Sequence, residues 1–244
     1  MTNSAALKNK LMDELWLPKA KEAATLFYPK HKRNIKMRMF TLSAGTSFDD
    51  ITKFESEKLI SRSDIVVWII SDFVKRMRVE AENVGAICEG DILSDSIHES
   101  SSQLYDKYPC DIINLDFSTQ ESNNSAERIK MEIVCLEKHI HLLNKKGSQC
   151  FALFFTNVLD SIPVDVNGIV QTSNAISVQG WSGLTLSSIS HNVTDKNELK
   201  GLLEVSATQM CQKYGYQNVT ITSQLLDITG CQDKLFSMAM VVKR

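Results

Sequence analysis

The sequence predicts an α/β protein built on a doubly wound, mostly parallel sheet of seven strands, and three observations carry that prediction. From residue 39 onward, apolar runs of strand length alternate with segments of helical period. The run "SQCFALFFTN" is apolar at almost every position, as in a strand covered on both faces. Two further strand-like runs, "YQNVTITSQ" and "KLFSMAMVVKR", close the chain.

Taken in order, Leu7, Leu11, Leu15, Trp16, Ala23 and Phe27 recur at three- and four-residue steps, the period of an amphipathic helix that Pro18 is expected to kink or divide. The polar, basic "YPKHKRN" reads as a linker, so residues 1–34 form a helical arm and 35–244 the main domain. "MFTLSA" is a strand, "DDITKFESEKLI" a helix, "DIVVWIISD" a strand and "FVKRMRVEAENV" a helix. "AICEGD" and "DIINLDF" are the next strands. "SAERIKMEIVCLEKHIHLLNKK" places Ile129, Ile133, Leu136, Ile140 and Leu143 on one stripe and stops at Gly147. Residues 158–195 are rich in Ser, Thr, Asn and Gly with few periodic apolar positions, and read as a long insertion of the kind that forms lids and binding loops. "DKNELKGLLEVSATQMCQKYG" is the last helix.

Composition narrows the function classes. Hydrophobic residues make up 43% of the 244, enough for a substantial core. The 27 basic and 29 acidic residues leave a net charge of -2, so nothing pulls the whole chain toward nucleic acid or an anionic membrane. Lys30, His31, Lys32, Arg33, Lys36 and Arg38 form a basic cluster without interleaved aromatics, which suits a solvated linker better than a phosphate track. The six cysteines are scattered, with no zinc or disulfide pattern, and are expected to be reduced and mostly buried. Charges run through the first thirty residues and no apolar run is long enough to span a bilayer, so a cytoplasmic location is expected. His139 and His141 flank Ile140 on a helix, project to different faces and are expected to be solvated, not metal ligands.

The order of elements and the residues at their ends resemble the class I S-adenosylmethionine-dependent methyltransferases over about residues 35–244. That resemblance implies a methyltransferase-like sheet ending in an antiparallel strand inserted beside its neighbour. It implies S-adenosylmethionine as cofactor, with Ser43, Gly45 and Ser47 in the turn under its methionine part. Gly45 matches a family glycine; Ser43 and Ser47 depart from the pattern. Asp72, after "IVVWIIS", falls where the family's acidic residue holds the ribose hydroxyls, and a helix N-cap is the other role open to it. Asp91 in "CEGDIL" falls on the adenine side with Ile92 to cover a ring face, or is a turn aspartate.

Asp116 and Phe117 in "DIINLDFST" fall at the acceptor-site motif, where base-amine methyltransferases show Asp or Asn before Pro-Pro-aromatic; this chain has no proline there. They are the implied catalytic pair, the carboxylate orienting an amino group and the ring stacking a base. The implied function is methyl transfer to an amino group of a nucleic-acid base or a small molecule. Nucleic acid is admitted but not required, and no membrane is implied. The alternative is a non-catalytic, nucleotide-binding or scaffold subunit with a partner protein, for example in a bacterial defence or modification system. A nicotinamide-dependent oxidoreductase is disfavoured because Gly-x-Gly-x-x-Gly is missing.

Overall fold

The structure, a computed structural model, describes residues 3–27, 36–42, 48–118, 126–159, 164–165, 192–193, 196–228 and 234–244. Helix α1 (Asn3–Leu11) runs through a π-helical turn (Met12–Trp16) into α2 (Leu17–Phe27). Pro18 does not divide this segment: the Leu17 N–H reaches back five residues to Met12, and the widened turn absorbs the proline's missing donor.

Seven strands form the main sheet: β1 (Met37–Leu42), β2 (Ile60–Ile69), β3 (Ala86–Glu89), β4 (Ile112–Asp116), β5 (Cys150–Leu159), β8 (Asn218–Asp227) and β9 (Lys234–Lys243). A two-stranded piece, β6 (Val164–Asp165) with β7 (Asn192–Val193), lies apart from it. The order is β3-β2-β1-β4-β5-β9-β8, with β9 antiparallel to both neighbours and the other pairs parallel. This is the doubly wound, seven-stranded arrangement that the resemblance implies, including the antiparallel last strand wedged beside β5. The predicted strands all form, shifted by a few residues at their ends.

Helices α3 (Asp49–Ser56), α4 (Phe73–Ala81), α5 (Ala126–Lys145) and α6 (Lys196–Lys213) follow β1, β2, β4 and β7. Alternation along each strand divides the core in two. Met37 and Met39 of β1, Ile112 of β4, Phe154 of β5 and Ala239 of β9 face the arm, meeting Leu11, Leu15, Trp16, Ala20, Ala23 and Phe54. Phe40, Ile113, Phe155 and Met240 face the other way, against Ile133, Leu136, Ile140 and Leu143 of α5 and Leu203 and Met210 of α6. From Ile133 onward the α5 stripe is thus the expected one, the Ile129 side chain lying outside what is described, and Gly147 ends the helix with φ +74 while the Ser148 N–H bonds Leu143. Trp16 anchors the arm, stacking on Phe154 and donating its indole N–H to Ser237 at 2.9 Å.

Candidate functional site at the carboxyl rim of the sheet

Strands β1 to β4 are parallel, and their pairing (Leu42 with Trp68, Ile69 with Glu89, Thr41 with Asn114) ends them along one rim. Asp72, Asp91 and Asp116 all stand on that rim, each at or just beyond a strand's carboxyl end. Ser43, Gly45 and Ser47 lie outside the described residues.

The three aspartates sit in different surroundings. Asp72 is exposed and caps α4, one carboxylate oxygen accepting the Lys75 N–H at 2.9 Å. Asp91 is a turn residue whose carboxylate accepts the Leu93 N–H at 3.1 Å. Ile92, expected to cover a ring face, is buried in the core beside α5. Asp116 is buried, and its carboxylate lies 2.6 Å from the ammonium of Lys8 on α1 while accepting from the backbone and hydroxyl of Ser118. Burial opposes its charge, but Lys8 and Ser118 overcome this and hold its pKa below the ordinary value. Lys8 is likewise penalised by burial, yet Asp116, with Asp50 and Asp49 behind it, raises its pKa above that of an ordinary lysine. The two therefore form a charged pair.

Phe117 does not join Asp116. Successive strand residues point to opposite faces, and Phe117 turns into the α5-side core, edge-on to Phe155 at 5.8 Å. What stands beside Asp116 is a row of polar side chains. On the arm-facing register, β1, β4, β5 and β9 switch from apolar to polar as they near the rim, whereas β2 stays apolar through Ile69: Met39 to Thr41, Ile112 to Asn114 and Asp116, Phe154 to Thr156, and Ala239 to Ser237 in antiparallel β9. Asp50 of α3 closes the row, accepting from Thr41 at 3.1 Å and from the Asn114 amide at 3.0 Å. Thr156 and Ser237 share a 2.8 Å hydrogen bond. On the opposite face of the same rim, the Asn157 amide donates to the buried Glu132 of α5.

Sequence reasoning missed Thr41, Asp50, Asn114, Thr156, Ser237 and Lys8. The switch of polarity at strand ends was there to be read at period two. Nothing in the sequence distinguishes Lys8 from its neighbour Lys10.

His139, expected to be solvated, is fully buried and bonded to the Tyr108 hydroxyl, because α5 is covered there by the 90–110 segment. His141 is half-buried and stacks on Tyr214. No metal-ligand cluster occurs among the described residues, and no described helix is long and apolar enough to cross a membrane. The described cysteines are free and buried, as expected. A groove of about 360 Å³ lined by Asp111, Cys150, Lys243 and Arg244 lies at the opposite rim, away from Asp72, Asp91 and Asp116.

No protein-family model matches the chain, and no curated protein does. Among solved structures it is similar to TYW2 of M. jannaschii in complex with AdoMet, at a TM-score of 0.45 and 8% identity over 93% of this chain and 75% of that one. It is also similar to a SAM-dependent methyltransferase from Methanosarcina mazei, at 0.40 and 12% over 88% and 97%. A third is a Haemonchus contortus phosphoethanolamine N-methyltransferase 2 with phosphomonomethylethanolamine and S-adenosylhomocysteine bound, at 0.38 and 8% over 93% and 52%. With TM-scores of 0.45 and below, these likenesses say nothing of what this chain does.

Proposed function

We propose that this chain is an S-adenosylmethionine-dependent methyltransferase. The observation that carries the reading is topological: four parallel strands present Asp72, Asp91 and Asp116 along one rim, in a sheet whose last strand is antiparallel. In this reading Ser43, Gly45 and Ser47 form the turn under the methionine part of the cofactor, Asp72 accepts from the ribose hydroxyls with its carboxylate, and Asp91 faces the adenine amine. The cofactor supplies a methyl group on a sulfonium. The protein's part is to aim an acceptor amino group at that methyl and to keep water away, with Asp116 orienting the amine and Phe117 packing behind it. The acceptor is an amino group of a small molecule or of a nucleic-acid base.

Calorimetric titration tests this. S-adenosylmethionine should bind the wild type, lose its binding in Asp72→Ala and Gly45→Trp, and keep it in Asp116→Asn, while nicotinamide dinucleotide should not bind. Failure of both ligands to bind would reject the reading. A methyl-transfer screen over tRNA, DNA and small amines then identifies the acceptor.

A second reading, a non-catalytic nucleotide-binding or scaffold subunit, is favoured by one specific observation: Asp116 is already engaged by the protein's own Lys8. It predicts cofactor binding without turnover on any acceptor, in Lys8 variants as well as in the wild type.

A further inference from the structure

We infer that the space bounded by Asp50, Asn114 and Asp116 is an organic-cation site, occupied here by the alkylammonium of Lys8, and that a ligand alkylammonium enters by replacing Lys8. The inference deepens the methyltransferase reading by naming the chemical class that Asp116 receives, and rests on it only for which cation is the natural one.

Three observations support it. Asp50 and Asp116 are both buried; Lys8 pairs with Asp116 at 2.6 Å, whereas among the described residues Asp50 takes its hydrogen bonds from the neutral Thr41 hydroxyl and Asn114 amide. Asp116 thus holds the ammonium directly, and Asp50 adds its negative charge from farther off. Second, Asn114 Oδ1 is wholly buried and has no donor among the described residues. Its orientation is forced, because turning the amide over would set Oδ1 against the Asp50 carboxylate. A buried acceptor without a partner is costly; Lys8, tethered to α1 and paired with Asp116, leaves it unmet, and an untethered ligand alkylammonium seated deeper would satisfy it. Thr41, Asn114 and Asp116 alternate onto the same arm-facing side of the sheet as Met39 and Ile112, and Asp50 is tied to them through Thr41 and Asn114, so the amide and both carboxyl groups stand together under the arm.

The third observation concerns release. Lys8 keeps 22% of its side-chain surface in water. Along α1, Ala6, Asn9 and Lys10 are exposed and Leu7 is half-buried, whereas the wholly buried anchors begin at Leu11 and continue through Leu15 and Trp16. The turn that carries Lys8 can therefore lift from the rim while the arm stays packed, so exchanging one cation for another leaves the core intact.

The test uses the full chain. Lys8→Ala removes the internal cation and every side-chain atom beyond Cβ, leaving a hole open to solvent at one side. n-Butylammonium, which has the length of the lysine side chain, should raise the thermal midpoint of this variant, with an apparent affinity about tenfold above that of n-butanol, the factor that about 1.4 kcal/mol provides. Asp116→Asn added to Lys8→Ala should abolish the difference between the two solutes. Should Lys8→Ala not fold, hydrogen exchange of residues 6–10 in the wild type should quicken with n-butylammonium and not with n-butanol. Equal effects of amine and alcohol in the measurement used overturn the inference, whatever S-adenosylmethionine does.

Further arms separate the sources of the cation. If Lys8→Ala tightens S-adenosylmethionine but not the uncharged S-adenosylhomocysteine, the site takes the cofactor's sulfonium. If it tightens neither and still binds n-butylammonium, the site takes the acceptor amine. Rescue by n-butylammonium in a protein that binds no S-adenosylmethionine upholds the cation site and rejects the methyltransferase reading alone.

Discussion

Replacing Trp16 tests whether the arm is part of the core or an appendage to it. The indole is wholly buried, lies parallel to Phe154 with ring centroids 5.9 Å apart, and donates to Ser237 at 2.9 Å. A buried tryptophan removes up to about 250 Å² from water, which at about 25 cal/mol per Å² sets a ceiling of about 6 kcal/mol. A compact unfolded state lowers that figure, so Trp16→Ala should cost about 3–5 kcal/mol. The hydrogen bond is the smaller part: Trp16→Phe keeps a ring on Phe154 and should lose about 1–2 kcal/mol. Ser237→Ala leaves the indole N–H buried without its acceptor and should cost about 1–3 kcal/mol. The pair should couple by about 1 kcal/mol in a double-mutant cycle. Urea unfolding followed by circular dichroism measures the wild type and the four variants. A Trp16→Ala midpoint within about 1 kcal/mol of wild type, at unchanged m, would refute the packing described here, because no wholly buried tryptophan is removed so cheaply.

Further predictions concern α5, the edge of the sheet and α6. Burial takes the His139 imidazole down to about 3 from its ordinary 6.5. The unfolded chain therefore binds a proton below pH 6.5 that the folded chain refuses until pH 3, and stability falls as the pH drops through that window. Between pH 7 and 5 this one group should cost about 2 kcal/mol, and His139→Gln, which keeps a polar partner for Tyr108, should lose that much less in urea unfolding at the two pH values. Gly85 leads β3 past β2 so closely that a Cβ there would sit 2.0 Å from the Ser63 carbonyl oxygen. Gly85→Ala should force the strands apart at a cost of about 1–3 kcal/mol. Gly201→Ala on α6, where a Cβ meets nothing within 4 Å, should be neutral or stabilise by up to about 1 kcal/mol in the same unfolding assay.

Local period and local length were enough for the sequence alone to determine the order of elements, the parallel α/β sheet, the α5 stripe and its stop at Gly147. They also placed Asp72, Asp91 and Asp116 at strand ends, and so on one rim, because parallel strands joined by right-handed crossovers end together. The opposite pointing of Asp116 and Phe117 was legible too, since alternation along a strand depends on no distant contact.

Tertiary structure decided the rest. Lys8 meets Asp116 because the arm folds across one face of the sheet, and the Trp16 indole reaches Ser237, 221 residues along the chain. His139 lost its solvent because the 90–110 segment closes over α5, held by Lys138 and Lys145. Pro18 left its helix unbroken because the π turn and the packing of Leu15 and Trp16 compensate for one absent N–H. Whether a charged or polar side chain is solvated, paired or buried depends on groups that chain folding brings from far away, and no local pattern encodes which those are.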